Sequence, residues 1–212
     1  AICKKLKEDN SINLTCIGNF KNVGIEKLSN NYLINLSSNI DTIIDNILSL
    51  KIKFNYAIIG PENFLELGIV NRLRENDIPC IGPNQELAKI ETNKYFARNL
   101  MSKNNMTKYS PQYIYFSSFN IESLDIKEKY MKFVEQFNGY VIKPCGLCGG
   151  KGVKLYKDHF SSHDEGIEYV SELIKNGKDV LIEERLYGNE FSLMSFADNN
   201  SSKHMPPVKD YK

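Results

Sequence analysis

Short apolar runs alternate with longer amphipathic segments through the first half of the chain. The short runs have the length of strands and lie at residues 14–17, 32–36, 55–59 and 78–81. Between them, residues 41–50 and 64–75 repeat apolar side chains at helical spacing, and Asn84, after Gly82 and Pro83, indicates a further helix start. This alternation predicts an α/β fold with an incomplete Rossmann-like parallel sheet, whose first strand we expect upstream of Ala1.

The pattern changes in the second half, where short strands dominate. A helix is predicted at about 92–103 and others near 122–137 and 161–176. The predicted strands are 112–116, 140–143, 153–156, 179–184 and 190–197. This order is typical of an α+β unit with antiparallel pairing. We therefore predict two domains, 1–92 and 93–212, the second incomplete and containing a small subdomain at about 108–184.

Residues 140–156 join two predicted strands through a loop that is rich in glycine and lysine. Its glycines lack a Cβ atom, so backbone N–H groups can approach phosphate oxygens, and two lysines supply the matching charge. These residues are Lys143, Gly146, Gly149, Gly150, Lys151 and Gly152. The loop therefore predicts a flexible cover over the phosphates of a nucleotide.

The loop differs from a P-loop at both ends. Cys145 stands where the first P-loop glycine would be, five residues before Gly150, and Lys151 is followed by Gly152 and a strand instead of a helix. A glycine-rich hairpin over a nucleotide is the arrangement of the ATP-grasp and protein kinase classes. No kinase catalytic or metal motif is present in the sequence.

Composition excludes several other classes. The net charge of +1 argues against nucleic acid as a partner, and no apolar run approaches the roughly 18 residues of a membrane span. Five cysteines, an odd number, do not suggest a disulfide framework, so we expect a cytoplasmic protein. Cys145 and Cys148 form a C-x-x-C pair, but without a second pair or clustered histidines we interpret them as small loop residues and not as zinc ligands.

Six blocks of residues, in order along the chain, carry a family resemblance. They are 59–62 (Ile-Gly-Pro-Glu), 81–83 (Ile-Gly-Pro), 91–94 (Glu-Thr-Asn-Lys), 142–153, 182–190 (Ile-Glu-Glu-Arg-Leu-Tyr-Gly-Asn-Glu) and 205–212 (Met-Pro-Pro-Val-Lys-Asp-Tyr-Lys). Together they resemble the glycinamide ribonucleotide synthetases, the phosphoribosylamine–glycine ligases of the ATP-grasp superfamily. Residues 18–25 and 205–207 look most like archaeal-type members.

The resemblance implies ATP-dependent joining of glycine to 5-phosphoribosylamine in purine synthesis. The reaction would pass through a glycyl phosphate and release ADP and phosphate. It implies a pre-ATP-grasp domain followed by part of an ATP-grasp domain, in a monomer or weak dimer. It also implies Mg²⁺ or Mn²⁺, whose ligands we expect downstream of Lys212, so that no metal ligand is assigned within these residues and the isolated piece is expected to be inactive.

The resemblance also assigns roles to individual residues. Lys143 and Lys151 are the expected catalytic residues. ATP binding is assigned to Lys94, Lys143, Gly146, Gly149, Gly150, Lys151, Gly152, Val153, Glu183, Glu184, Leu186 and Glu190. Within this set Glu183 is expected near the adenine amino group, the Leu186 backbone at the ring, and Glu190 on the ribose hydroxyls.

Substrate binding is assigned to the Gly60-Pro61-Glu62 turn and to Asp210 and Lys212, where Tyr211 replaces the usual histidine of the family motif. Two alternatives stay open. One is another ATP-grasp carboxylate–amine or biotin-dependent ligase, which would share the loop but not the 205–212 block. The other is a catalytically inactive nucleotide-binding or assembly module.

Overall fold

The computed structural model describes residues 2–119, 123–149, 151–198 and 200–210. The chain divides into two units, Ala1–Ala97 and Arg98–Lys212. The boundary predicted between residues 92 and 93 stays a prediction. Among the described helices, none has the length and apolarity needed to cross a membrane.

Parallel strand pairs organise the first unit. Its strands are β1 Thr15–Gly18, β2 Asn31–Ile34, β3 Ala57–Ile58 and β4 Cys80–Ile81. Its helices are α1 Ile2–Leu6, α2 Val23–Glu26, α3 Ile40–Ser49, α4 Glu62–Glu66, α5 Ile69–Glu75 and α6 Gln85–Thr92. β1 pairs with β2 and β3 with β4, both in parallel, which confirms the predicted α/β class.

Helices α3 and α5 pack together to form the core of this unit. Ile43, Ile44 and Ile47 of α3 and Val70 and Leu73 of α5 are buried in one cluster. The helical spacing of these apolar residues places them on a single face of each helix. The predicted start at Asn84 is confirmed, because its side chain accepts the N–H of Leu87 and caps α6.

Two helix predictions were wrong, one because the helix is interrupted and the other because it begins two residues later. The segment 64–75 was predicted as one helix, but Gly68 lies between α4 and α5 with φ +84°, a left-handed conformation that interrupts the helix. The helix predicted from about residue 92 begins instead at Lys94. Asn93 has extended backbone and its side chain accepts the N–H of Phe96, which separates α6 from α7, Lys94–Lys103.

An antiparallel sheet organises the second unit. After a short 3₁₀ helix at Thr107–Tyr109, the elements are β5 Tyr113–Phe116, α8 Ser123–Val134, β6 Tyr140–Pro144, β7 Lys154–Leu155, α9 His163–Lys175 and β8 Val180–Glu184. The four strands pair in the order β5-β8-β6-β7, all antiparallel, as predicted. Tyr140, Ile142, Val180 and Ile182 pack into one core cluster with residues of α8 and α9.

Two antiparallel sheets of two strands each follow, and we refer to them together as the ribbon. It contains β9 Phe191–Ser192, β10 Ser195–Ala197, β11 Ser202–His204 and β12 Val208–Lys209, with β9 antiparallel to β12 and β10 antiparallel to β11. The single strand predicted at 190–197 is therefore two short strands. All described side chains of these strands are exposed, including Phe191, Phe196 and Val208.

Candidate nucleotide-binding site

The sheet of the second unit has two chemically different faces. Because side chains alternate along a strand, Tyr140 and Ile142 of β6 face the helices, while Val141 and Lys143 lie on the opposite face. On β8 the same alternation places Glu183 on the face of Lys143. The register pairs Glu183 with Val141 and Lys143 with Leu181, so that the two charged residues are diagonal neighbours.

A buried carboxylate joins two cations on this face. Glu183 is 2% exposed and accepts a hydrogen bond from Arg98 Nε at 2.5 Å on Oε1, while Lys143 Nζ donates to Oε2. The Arg98 and Lys143 side chains remain 24% and 25% exposed. Each carboxylate oxygen therefore has its own cationic donor, and the cluster carries a net charge of one positive.

The two cations decide the ionisation of Glu183. Burial favours the neutral acid and is the largest single influence, but the hydrogen bond from Arg98 and the charge and hydrogen bond of Lys143 together outweigh it. The pKa of Glu183 consequently lies below its ordinary value. The carboxylate is ionised at neutral pH and holds both cations in place.

The glycine-rich loop is fixed where it leaves β6 and where it returns to β7. The N–H of Cys145 donates to the carbonyl of Asp179, and the carbonyl of Gly152 accepts the Tyr169 hydroxyl at 2.8 Å. Gly152 has φ +86°, and a Cβ atom there would lie 3.2 Å from Pro144 Cγ. Only glycine fits this end of the loop without strain.

The middle of the loop is open. A Cβ atom on Gly146 or Gly149 would meet no atom within 4 Å, and Gly149 adopts φ +56°. The exposed Lys151 donates its backbone N–H to the carbonyl of Cys148 at 2.9 Å, while Val153 is half-buried. The space beside Gly146 and Gly149 is thus unfilled, and Gly150 lies outside the described residues.

Asp179, directly before β8, anchors the base of the loop. Its carboxylate accepts the Tyr115 hydroxyl at 2.6 Å and both the N–H and hydroxyl of Ser118 at 2.8 Å. Burial opposes its ionisation most strongly, but these hydrogen bonds prevail and the pKa of Asp179 lies below its ordinary value. Burial, together with the bond to Asp179, raises the pKa of Tyr115 to about 12.

The remaining nucleotide residues lie at and beyond the end of β8. Glu184 accepts the N–H of Gln112 at 2.9 Å, which ties it to the segment before β5. Leu186 is exposed, and the exposed Glu190 accepts the N–H of Asp210 on its carbonyl at 3.0 Å. Asp210 is therefore beside Glu190 in the ribbon, whereas Lys212 lies outside the described residues.

Other predicted residues belong to the first unit. Gly60 follows the parallel strand β3, Pro61 precedes α4, and Glu62 is its first residue, and all three are exposed. Lys94 is the first residue of α7 and is half-buried. The ligand contacts assigned to these residues, and to those of the second unit, stay predictions.

The structure shows five free thiols and no bridge among the described cysteines, with Cys145 buried and Cys148 half-buried. Within the described ranges, no group of three or more His, Cys, Asp or Glu side chains could hold a metal ion. His163 is half-buried, stacks on Tyr156 at 4.8 Å and hydrogen-bonds the Tyr140 hydroxyl.

Sequence reasoning missed Arg98. It is separated from Glu183 by 85 residues, and such long-range ion pairs leave no local pattern. One available signal was the apolar setting of Glu183, directly after Val180, Leu181 and Ile182. A carboxylate on a buried strand needs cationic partners, and Lys143 accounts for only one of its two oxygens.

The fold is similar to that of a solved enzyme. A solved N5-carboxyaminoimidazole ribonucleotide synthetase, crystallised as an ADP complex, is similar with a TM-score of 0.68 at 14% identity, covering 100% of this chain and 51% of that chain. At this identity the similarity shows the fold alone. The class is given by sequence, because the family model that matches residues 92–212 describes an ATP-grasp domain.

Sequence comparison then gives the family. Family models match in two parts, "Phosphoribosylglycinamide synthetase, N domain" over residues 1–91 and "Phosphoribosylglycinamide synthetase, ATP-grasp (A) domain" over 92–212. The chain belongs to the phosphoribosylglycinamide synthetase family, which confirms the resemblance seen in the six blocks.

Two relatives show how much of such a protein the chain represents. It is 38% identical over 198 residues to the phosphoribosylamine–glycine ligase of Pyrococcus horikoshii, covering 93% of this chain and 43% of the relative. The crystal structure of the phosphoribosylamine–glycine ligase from Thermotoga maritima is similar with a TM-score of 0.64 at 27% identity, covering 90% of this chain and 43% of that chain. The chain thus spans less than half the length of these relatives.

Proposed function

We propose that the protein containing this chain ligates glycine to 5-phosphoribosylamine with hydrolysis of ATP to ADP and phosphate. The observation that carries the proposal is a positively charged, partly exposed Lys143 on the sheet face opposite α8 and α9, directly before an open glycine-rich loop, in a chain of this family. Cation and loop together provide what the phosphates of a nucleotide require.

In the proposed reaction a glycine carboxylate oxygen attacks the γ-phosphorus of ATP and ADP leaves. The amine of phosphoribosylamine then attacks the carbonyl carbon of the glycyl phosphate, loses a proton, and phosphate departs. Positioning and charge neutralisation supply most of the catalysis in such phosphoryl transfer. Lys143 and Lys151 neutralise phosphate charge, and the loop from Gly146 to Gly152 excludes water when closed.

The other assigned residues have proposed roles in each unit. Glu190 accepts hydrogen bonds from the ribose hydroxyls, and the exposed backbone around Leu186 pairs with the adenine edge. Gly60 and Glu62 follow a parallel strand at its carboxyl end, where open α/β sheets bind their ligands, and serve phosphoribosylamine. Lys94 contributes to the phosphates, and Asp210 and Lys212 to the substrates.

The described residues fit ATP but not a metal ion. The cations and open loop suit phosphate oxygens, whereas no described group offers three carboxylate, histidine or cysteine ligands. Mg²⁺ or Mn²⁺, when bound, would offset charge on the β- and γ-phosphates, and we assign its ligands to residues beyond Lys212. We further propose a cytoplasmic enzyme, a monomer or weak dimer, with small-molecule partners and neither nucleic acid nor membrane.

The test is a ligase assay on the whole protein with labelled glycine, phosphoribosylamine generated in place, and magnesium–ATP. The expected result is labelled glycinamide ribonucleotide formed in equal amount to ADP, and no product without the amine. ATP use with a different amine acceptor would indicate another ATP-grasp ligase. Nucleotide binding without turnover on any amine would indicate an inactive module, and either result would refute the proposal.

A further inference from the structure

Arg98 occupies a position that none of the assigned roles explains. It lies on α7 and donates from Nε to Oε1 of Glu183 at 2.5 Å, across 85 residues of sequence. Its partner Glu183 is 2% exposed, and the other oxygen of that carboxylate holds Lys143. Arg98 is therefore joined to the predicted nucleotide lysine through one shared anion.

Arg98 determines the net charge of this cluster. With Arg98 present, one carboxylate serves two cations, each about a quarter exposed, and the cluster keeps one positive charge. Without Arg98, Lys143 and Glu183 would neutralise each other. The attraction of this face for an anionic phosphate therefore depends on a side chain that need not touch the phosphate.

Arg98 also fixes the orientation of the Glu183 carboxylate. Lysine is a point charge on a flexible stem, and Glu183 reaches it diagonally across two strands. Because Arg98 occupies Oε1, the carboxylate is held in one rotation and presents Oε2 alone to Lys143. The ammonium is thereby kept near a single position on the face before any ligand arrives.

We infer that Arg98 is a positioning residue, which holds Glu183 so that Glu183 in turn fixes the ammonium of Lys143 for the phosphates of a nucleotide. The inference rests on the proposed function in taking ATP as the ligand. It extends that function by making the affinity of the site for ATP depend on Arg98, Glu183 and Lys143 together.

Calorimetric binding of magnesium–ATP to the whole protein tests the inference without requiring turnover. Arg98→Met keeps the aliphatic stem of the side chain. It should raise the Kd for ATP by about tenfold, because the charge-assisted contact of Lys143 with the phosphates is lost. Arg98→Lys restores the charge and should recover most of this loss. Arg72→Met is the matched control, because Arg72 is 46% exposed and pairs with the exposed Asp41 at 2.7 Å, and it should leave Kd within about twofold.

A double-mutant cycle separates positioning from a general loss of stability. If Arg98 acts through Lys143, Arg98→Met should have little further effect on Kd in a Lys143→Met background. Fully additive effects, or an unchanged Kd in folded Arg98→Met, would overturn the inference. If Arg98→Met does not fold, Arg98→Lys is compared with Arg98→Gln instead. Arg98→Lys should then have the lower Kd for ATP, and equal Kd values for the two variants would also overturn the inference.

The double-mutant cycle and the ligase assay can fail independently of each other. A protein that binds ATP but does not ligate glycine would refute the proposed function, while the cycle would still decide the role of Arg98. A wild-type protein that binds no ATP would refute both.

Discussion

On the sheet face, Lys143 is held by a carboxylate that is 2% exposed. In the loop that follows, by contrast, a Cβ atom on Gly146 or Gly149 would meet no atom within 4 Å. The face is ordered by the ion pairs that the buried Glu183 of β8 forms with Lys143 of β6 and Arg98 of α7. The loop is tied at Cys145 and Gly152 and open between them. One part of the candidate site is built before a ligand binds, and the other requires the ligand to order it, since fixing each loop residue costs backbone entropy.

The largest expected effect comes from breaking the ordered face. Glu183→Ala leaves Arg98 and Lys143 without their shared anion, and we expect the free energy of unfolding to fall by about 3–5 kcal/mol. Urea denaturation of the whole protein measures this change. Asp158→Ala removes the partner of Arg185 at the surface and should cost at most about 1 kcal/mol. Equal costs for the two variants would contradict the distinction between a buried and an exposed ion pair.

Removing the cation should affect function more than stability. Lys143→Met is expected to lower kcat/KM for ATP by about tenfold or more, because a charge-assisted hydrogen bond contributes roughly 1.5–3 kcal/mol, and to change kcat/KM for glycine less. Steady-state kinetics on the whole protein measures both. The control is Lys154→Met: Lys154 pairs with Ile142 on the helix-facing side of the sheet and lies 3.7 Å from the Tyr169 ring centroid. Similar losses of ATP use in both variants would remove Lys143 from the site.

A smaller effect should distinguish the anchored end of the loop from its open middle. Gly152→Ala imposes a left-handed conformation on alanine and a 3.2 Å approach to Pro144, so the free energy of unfolding should fall by about 1–2 kcal/mol. Gly146→Ala meets no atom within 4 Å and should leave stability nearly unchanged. Urea midpoints compare the two. If Gly146→Ala were the more destabilising, the assignment of the anchored end would be wrong.

The smallest expected effect is a pH dependence at the base of the loop. The folded pKa of Asp179 lies below its unfolded value of about 3.9, so its contribution to stability is present above that pH and is lost as pH falls through the folded pKa. Asp179→Asn should therefore flatten the loss of stability below about pH 4. Denaturation midpoints between about pH 2 and pH 6 measure this. A variant with the same acid sensitivity as wild type would contradict the assignment.

Local patterns predicted much of this molecule. Strand and helix periodicity gave the parallel pairs of the first unit and the hairpin around the glycine-rich loop, because those signals come from neighbouring residues. The same reasoning failed at Gly68, where a left-handed residue splits a continuous helical pattern, and at Asn93, whose side chain caps the following helix. Neither conformation changes the spacing of apolar residues.

The site was predicted less completely than the fold. Lys143 and the loop glycines could be found because they are adjacent in sequence. The carboxylate of Glu183 was expected near an adenine amino group, but in the structure both of its oxygens bind cations. That pairing depends on strand register and on Arg98 in a distant helix, neither of which has a local sequence signal. The adenine contact stays a prediction.

Amide hydrogen exchange of the whole protein, with and without magnesium–ATP, tests most directly the claim that one part of the site is ordered in advance and the other by its ligand. Peptides covering β6 and β8 should be strongly protected in both states, because their N–H groups are bonded within the sheet. Peptides covering residues 145–152 should exchange rapidly without nucleotide and slow when it is added. A loop that is equally protected in both states, or strands that become protected only with ATP, would contradict the account.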